Sequence, residues 1–198
     1  SEQVAVSWSM ALASRPETDR QVTGEDMRSY MGKTLETIAE LMLPEIEPAL
    51  RMEIMRDCER VEQDYLIEHG GTLFPNLEKE LERLSKSFSL FIVSNCQSGY
   101  IETFLEYHKL GKYFTDFECP GGTGLAKADN IRIIVERNNL DRAVYVGDIQ
   151  GDLDASDSAG VPFIHAAYGF GTVNRDVPAV KSFSEVFEAA ERILGSTR

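Results

Sequence analysis

Ala143-Val144-Tyr145-Val146-Gly147-Asp148-Ile149-Gln150-Gly151-Asp152 is the stretch that decides the fold of this chain. Its first four residues are apolar on both faces, which is typical of a buried strand in a parallel sheet. Residues 152–159 then predict a helix that ends at Gly160. The stretch therefore predicts a strand followed directly by a turn and a helix, the unit from which α/β proteins are built.

Two carboxylates follow this strand, Asp148 at its carboxyl end and Asp152 in the turn or first helical turn beyond it. Ligands of open α/β sheets bind at that edge, and side chains about one helical turn apart can face a common point. Mg²⁺ prefers hard oxygen ligands and is usually held by one or two carboxylates plus a substrate phosphate. The alternative is that both residues are solvated helix-start residues, because Asp is favoured there.

The overall composition is that of an ordinary globular protein with an acidic surface. The net charge is −13, from 20 basic and 33 acidic residues among 198. Such a surface repels nucleic acids and anionic membranes, so we expect neither as a partner. The three cysteines lack CxxC spacing, which argues against a zinc site and favours a reducing cytoplasm. We find no apolar run long enough to span a membrane and no signal peptide.

The chain changes character near residues 70–72. The first 70 residues predict helices alone, and the longest runs from about Pro48 to His69. Beyond Thr72, strands alternate with helices, which indicates βαβ units and a parallel sheet. Predicted strands cover 89–93, 113–118, 143–146 and 162–166; predicted helices cover 76–86, 98–109, 129–138, 152–159 and 183–194; predicted loops cover 121–127 and 168–171.

Two further polar groups accompany the aspartates. Ser94 and Asn95 follow strand 89–93, where a hydroxyl, an amide and the backbone N–H groups of a following helix can bind an anion such as phosphate. The alternative is that both residues only cap that helix. Lys127 precedes a helix start, where the helix dipole favours anions and not cations. It can neutralise a phosphate and a carboxylate, or it is an ordinary surface lysine.

The order of these groups resembles the haloacid dehalogenase-like hydrolase superfamily. Ser94 matches its second motif, Lys127 its third, and Gly147-Asp148 with Asp152 its fourth. The helical first 70 residues resemble the cap domain of the phosphoglycolate phosphatase and β-phosphoglucomutase-like branch. The resemblance covers essentially the whole chain. It implies an α/β fold, with a three-layer, Rossmann-like parallel sheet core at 71–198 and an α-helical cap domain at 1–70.

The sequence departs from the family pattern in two places. Lys127 is followed by Ala128 where the family often has proline. More seriously, the first motif, a strand ending in D-x-D-G-T, is absent, because the only D-x-D is Asp152-Leu153-Asp154 inside the fourth motif's helix. We expect the missing strand upstream of Ser1 and central in the sheet, between strands 89–93 and 143–146. Direct pairing of those two strands would contradict this strand order.

The resemblance implies a Mg²⁺-dependent phosphatase that hydrolyses a small phosphomonoester. The nucleophile would be an upstream Asp that forms an aspartyl-phosphate, and Asp148 and Asp152 would hold the metal. Ser94 and Lys127 would act in catalysis and, with Asn95, bind the substrate phosphate. The cap would close over the site and select the substrate, with Lys33 in a break between cap helices as a further substrate contact.

Two other functions remain open on the sequence. One is a phosphoglucomutase-type phosphotransferase, and the other is a non-catalytic binding domain if the native protein lacks the nucleophile. A receiver-like phosphoacceptor is disfavoured because its acidic cluster should lie in the first strands. We expect a small phosphorylated metabolite as partner, a monomer or homodimer, and a cytoplasmic location.

Overall fold

The computed structural model describes residues 2–195, and the predicted alternation of helices and strands is present. The helices and strands follow one another in the chain as α1 (Glu2–Ala13), α2 (Gly24–Tyr30), α3 (Leu35–Met42), α4 (Pro48–His69), α5 (Leu77–Ser85), β1 (Leu90–Val93), α6 (Tyr100–Tyr107), β2 (Phe114–Glu118), α7 (Pro120–Thr123), α8 (Lys127–Arg137), β3 (Tyr145–Gly147), α9 (Gln150–Ala159), β4 (Phe163–Ala166), β5 (Ala179–Val180) and α10 (Val186–Leu194). The α/β fold class is confirmed.

The chain forms two compact units. The first contains the residues up to Thr72 together with Glu102–His108, and the second contains Leu73–Ile101 together with the residues from Lys109 onward. The sequence boundary at residue 70 did not anticipate that most of α6 groups with the first unit. The roles of a cap at 1–70 and a core at 71–198 stay predictions.

The first unit is a helical cluster with its own apolar core. That core joins α1, α2, α3 and α4 through buried side chains such as Leu12, Ile54 and Met55, all fully enclosed. Helix α2 begins with a capping box, in which Thr23 accepts from the Asp26 amide and Asp26 accepts from the Thr23 amide. This exchange satisfies two backbone donors that a helix start otherwise leaves free.

A buried polar contact also links α1 to α4. The indole Nε1 of Trp8 donates to Oε2 of Glu62 at 2.5 Å, and both residues are buried. A hydrogen bond to a charged acceptor in this setting is stronger than a neutral one. The contact therefore fixes the register of the two helices as well as burying the indole ring.

Replacing Trp8 by phenylalanine is expected to lower the free energy of unfolding by about 1–3 kcal/mol, because a buried carboxylate loses a donor. Urea denaturation followed by circular dichroism measures the change. Gln3→Ala is the control, since Gln3 Nε2 donates to Thr72 at 3.0 Å in an exposed position on the same helix. A Trp8→Phe effect no larger than that of the control would contradict the prediction.

The second unit carries two parallel sheets. In one, β1 pairs with β2, with Val93 opposite Glu118. In the other, β4 lies between β3 and β5, with Gly147 opposite His165 and His165 opposite Ala179. Because all these pairings are parallel, the carboxyl ends of the strands within each sheet lie at one edge.

The facing strands β1 and β3 each keep one unpaired edge within the described residues. Strand β4, with a neighbour on each side, is buried throughout, whereas β1 is only half-buried along its length. The hydroxyl of Tyr145 on β3 donates to the carbonyl of Val93 on β1 at 2.9 Å. A side chain thus links the two strands where no backbone ladder does, and the direct pairing that would contradict the predicted strand order is not found.

Helices cover both faces of the three-stranded sheet. Ile164 and Val180 pack with Leu84 of α5 and with Val186 and Ala190 of α10 on one face. Helix α9 contacts β3 and β4, and α8 packs against α9 and contacts β1 and β2. This arrangement gives the second unit the three layers that the resemblance implied.

Several local details differ from the sequence expectation; strand β3, for example, spans Tyr145–Gly147 and not 143–146. The segment 121–127 is not a continuous loop, because Pro120–Thr123 forms a short helix that proline can start. Helices α8 and α9 each begin two residues earlier than predicted, at Lys127 and Gln150. Strand β5 was missed, since a pair of residues carries no periodic signal.

Candidate active site

The site is built around Asp152, which is 4% exposed and has both carboxylate oxygens engaged. Oδ1 accepts from Nζ of Lys127 at 2.5 Å. Oδ2 accepts from the backbone amides of Asp148 at 3.0 Å and Ile149 at 3.3 Å. Asp152 therefore holds the turn after β3 and the lysine in place at once.

Gly147 makes this close approach possible. A Cβ atom at Gly147 would lie 2.5 Å from Cβ and 2.7 Å from Cγ of Asp152, well inside contact distance. Only a residue without a side chain leaves room for the carboxylate beside the strand end. The Gly-Asp pair that ends the strand thus has a steric basis.

Asp148 is half-buried at the carboxyl end of β3. Its Oδ2 accepts from the backbone amide of Phe170 at 2.7 Å. Its Oδ1 accepts no hydrogen bond from residues 2–195, so one carboxylate oxygen is left for a ligand. The two aspartates therefore differ, because both carboxylate oxygens of Asp152 already accept hydrogen bonds from the protein.

Lys127 is the first residue of α8, with its side chain 11% exposed. An ammonium buried to this extent is not the ordinary surface lysine of the alternative interpretation. Its ion pair with Asp152 uses one of its three N–H donors, and two remain. Lys127, Asp148 and Asp152 are the predicted site residues that the structure brings into one connected set.

Ser94 and Asn95 follow β1, and the amide of Ser94 donates to the carbonyl of Glu118 at 3.3 Å. Ser94 is half-buried and Asn95 is exposed. Helix α6 begins only at Tyr100, so its N-terminal amides are not adjacent to this pair as the sequence predicted. The Tyr145–Val93 hydrogen bond ties the end of β1 to β3, one residue before Ser94.

Lys33 lies in the first unit, after the end of α2. Its Nζ donates to the carbonyl of Ser29 at 2.6 Å, and the side chain is exposed. A cation near the last carbonyls of a helix is favourable with respect to the helix dipole. This contact gives Lys33 a local role, and its contact with substrate stays a prediction.

Two tyrosines next to the aspartates are held in the neutral form. Burial, and then the charge of Asp148, raises the pKa of Tyr168 to about 12. Burial, followed by the charges of Asp152 and Asp148, also raises the pKa of Tyr145. Both phenols therefore keep their protons at neutral pH, and Tyr145 keeps the donor that it offers to Val93.

The donor set suits Mg²⁺ held largely by water and substrate. Within the described residues there is no cluster of three or more His, Cys, Asp or Glu side chains that could hold a metal by itself. Mg²⁺ is commonly bound through one or two carboxylates while it keeps several waters. The free oxygen of Asp148 fits that role.

The sequence reasoning missed the loop Tyr168–Gly171 as part of the site. It predicted a glycine-containing loop there but gave it no role, although the Phe170 amide contacts Asp148. The available signal was the pair Gly169 and Gly171, spaced by one residue after a strand. Such spacing suggests that backbone approaches something closely.

Comparison with known sequences identifies the family. The sequence model of haloacid dehalogenase-like hydrolases matches residues 1–166, most of the chain. The chain belongs to the haloacid dehalogenase-like hydrolase family. The resemblance inferred from Ser94, Lys127 and Asp148 is thereby confirmed.

Curated relatives place it in the phosphoglycolate phosphatase-like branch. Phosphoglycolate phosphatase of Vibrio parahaemolyticus is 23% identical over 160 residues, which is 75% of this chain and 70% of the relative. The Escherichia coli K12 enzyme of the same name is 28% identical over 110 residues, 52% of this chain and 43% of the relative. The match to the second thus spans less than half of that protein.

Solved structures agree on the fold. A haloacid dehalogenase-like family protein from Streptococcus pneumoniae superposes with a TM-score of 0.75 at 20% identity, covering 94% of this chain and 89% of its own. CbbY from Rhodobacter sphaeroides, solved in complex with phosphate, gives a TM-score of 0.72 at 16% identity, covering 96% of this chain and 92% of its own.

No helix within residues 2–195 has the length and apolar character that crossing a membrane requires.

Proposed function

We propose that this chain acts in a Mg²⁺-dependent phosphatase that hydrolyses a small phosphomonoester, with Asp148 as the ligand of the cation. The observation that supports this most directly is the state of the Asp148 carboxylate. One oxygen is fixed by the Phe170 amide at 2.7 Å and the other accepts no bond from the described residues. A carboxylate held in this way offers a cation one oriented, hard oxygen ligand.

Lys127 supplies the positive charge that the substrate phosphate needs. Asp152 holds the ammonium by one N–H, which leaves two donors for phosphate oxygens. Charge on those oxygens is stabilised by a donor whose position is set before the substrate arrives. Ser94 and the backbone of Asn95, at the end of β1, are proposed as the other phosphate contacts.

Asp152 is proposed to act mainly by holding Lys127 and the amides of Asp148 and Ile149. Both of its carboxylate oxygens accept hydrogen bonds from protein donors, which supports this holding role. When bound, Mg²⁺ screens the repulsion between an attacking carboxylate and the phosphate. The nucleophile is proposed to be an Asp upstream of residue 1, which attacks phosphorus, displaces the leaving group and forms an aspartyl-phosphate. Water then attacks that phosphorus, which releases inorganic phosphate and restores the free Asp.

Phosphoglycolate is the first substrate to test, because two curated relatives carry the name phosphoglycolate phosphatase. The protein as its gene encodes it, including any upstream segment, is expected to release inorganic phosphate from phosphoglycolate in Mg²⁺. Removal of Mg²⁺ by EDTA is expected to abolish release, and added Mg²⁺ to restore it. Residues 1–198 alone are the control and are expected to release none.

Two further measurements separate the alternatives. A phosphotransferase that is given a sugar phosphate would convert it into its isomer without releasing phosphate. A binding domain would bind phosphoglycolate without turning it over, and sequencing of the native N-terminus would then show no upstream Asp-x-Asp. Phosphate release that is unaffected by EDTA would contradict the proposed role of Mg²⁺.

A further inference from the structure

The loop Tyr168–Gly171 packs directly on Asp148. A Cβ atom at Gly169 would lie 2.3 Å from Cβ, 2.5 Å from Oδ2 and 2.7 Å from Cγ of Asp148. At Gly171 it would lie 2.7 Å from Cγ2 of Ile149 and 3.1 Å from the carbonyl oxygen of Asp148. The three distances at Gly169 are all shorter than the distances that real Cβ atoms keep from their neighbours. A residue with a side chain would therefore clash with Asp148 at position 169, and only glycine fits there.

The loop is anchored at its base to the sheet. The amide of Gly169 donates to the carbonyl of Ala166 at 2.9 Å. The amide of Ala167 donates to the carbonyl of Val180, also at 2.9 Å. These bonds fix the path of the chain as it leaves β4. The Phe170 amide therefore reaches Asp148 from a position that the sheet sets.

We infer that this loop is a clamp for Asp148 and that Gly169 is a positioning residue. The clamp holds Oδ2 on the Phe170 amide and so directs Oδ1 outward as the ligand oxygen. The inference rests on the proposed function, in which Asp148 binds the cation. A ligand fixed before binding loses less conformational entropy when the cation arrives, and partners that orient a ligand typically change metal affinity by about 10–100-fold.

The steric argument makes Gly169 specific. The Cβ of Asp148 is attached to backbone and cannot rotate away, so a methyl group at residue 169 must displace the loop. Displacement withdraws the Phe170 amide from Oδ2 and frees the carboxylate to rotate. Gly151, on helix α9 near the same site, is the matched control, because its added Cβ would meet only Cδ1 of Ile149 at an ordinary 3.5 Å.

The first test is Mg²⁺ affinity, measured by isothermal titration calorimetry on the protein as its gene encodes it. Gly169→Ala is expected to weaken binding by about tenfold or more, and Gly151→Ala to leave it unchanged. Asp148→Asn reports separately on the proposed function. If Asp148→Asn binds Mg²⁺ like the wild type, the proposed metal site is wrong; if only Asp148→Asn weakens binding and Gly169→Ala does not, the clamp is wrong and the metal site stands.

The second test needs neither metal nor activity. Asp148→Gly removes the Cβ that Gly169 contacts, so Gly169→Ala should be tolerated in that background. In the wild-type background the same change is expected to raise the unfolding equilibrium constant by roughly tenfold in urea denaturation, as for other directly coupled pairs. Equal effects in both backgrounds would overturn the clamp, and this cycle also shows whether the variant still folds.

Discussion

Replacing Lys127 by methionine is expected to lower the free energy of unfolding by about 3–5 kcal/mol, because it leaves the carboxylate of Asp152 buried without its counter-charge. The side chains of the pair are only 11% and 6% exposed, so water cannot take over the role of the ammonium. Asp152 would retain the two backbone amides at 3.0 and 3.3 Å as donors. Their dipoles do not replace a full positive charge.

The double variant Lys127→Met with Asp152→Asn sharpens this prediction. It removes both charges while the side-chain oxygen of residue 152 can still accept from the amides of Asp148 and Ile149. Most of the lost stability is therefore expected to return, since neutral replacement of a buried pair is often tolerated. Urea denaturation followed by circular dichroism measures both variants.

Lys86→Met is the matched control for Lys127→Met. Lys86 also forms an ion pair with an acidic residue, Glu82, but the side chains are 69% and 56% exposed. An exposed pair of this kind contributes little, so no measurable change is expected. If Lys127→Met were as mild as Lys86→Met, the buried ion pair would not be a main support of the site.

Asp148→Asn is expected to reduce kcat/KM for phosphate release by at least about 100-fold in the gene-encoded protein, as removal of a group that orients the metal or stabilises transition-state charge typically does. The amide can still accept from Phe170 through its oxygen, so the fold around it should persist. What is lost is the negative charge of the free ligand oxygen. Raising the Mg²⁺ concentration should recover part of the activity.

The control for this variant is Asp154→Asn, on the exposed face of helix α9, which follows Asp148 in the chain. Asp154 accepts from Nε2 of Gln150 at 2.7 Å, and among residues 2–195 its side chain forms no hydrogen bond or ion pair with Asp148 or Lys127. Its replacement removes the same charge without touching the site, so turnover is expected to stay within about twofold of the wild type. Equal activity of Asp148→Asn and Asp154→Asn would show that Asp148 is not needed.

Local patterns were sufficient to predict most of the fold. Helix α4 was predicted with its observed bounds, because Pro48 suits a first helical turn and the apolar stripe ends before Gly70. Strands β1 and β4 were found from short apolar runs between helices. The starts of α8 and α9 were missed because polar residues such as Lys127 and Gln150 carry no apolar periodicity.

The chemistry of the site was only partly accessible from the sequence. The residues themselves could be proposed from their order after successive strands. The sequence could not predict that Asp148 keeps one oxygen without a hydrogen bond from the described residues while both oxygens of Asp152 accept bonds. That difference depends on contacts such as the one between Asp148 and the Phe170 amide, which lies 22 residues away along the chain. The burial of the Lys127–Asp152 pair likewise arises from the packing of α8 on α9.

The edges of β1 and β3 that stay unpaired within residues 2–195 have a consequence for the behaviour of this polypeptide in solution. Free backbone donors and acceptors along a strand are a template for pairing with another chain, which leads to self-association. The net charge of −13 opposes this by mutual repulsion between molecules. Salt screens that repulsion beyond about 8 Å at physiological ionic strength. The polypeptide is therefore expected to stay monodisperse at low protein and low salt concentrations. At high protein and high salt concentrations it is expected to aggregate.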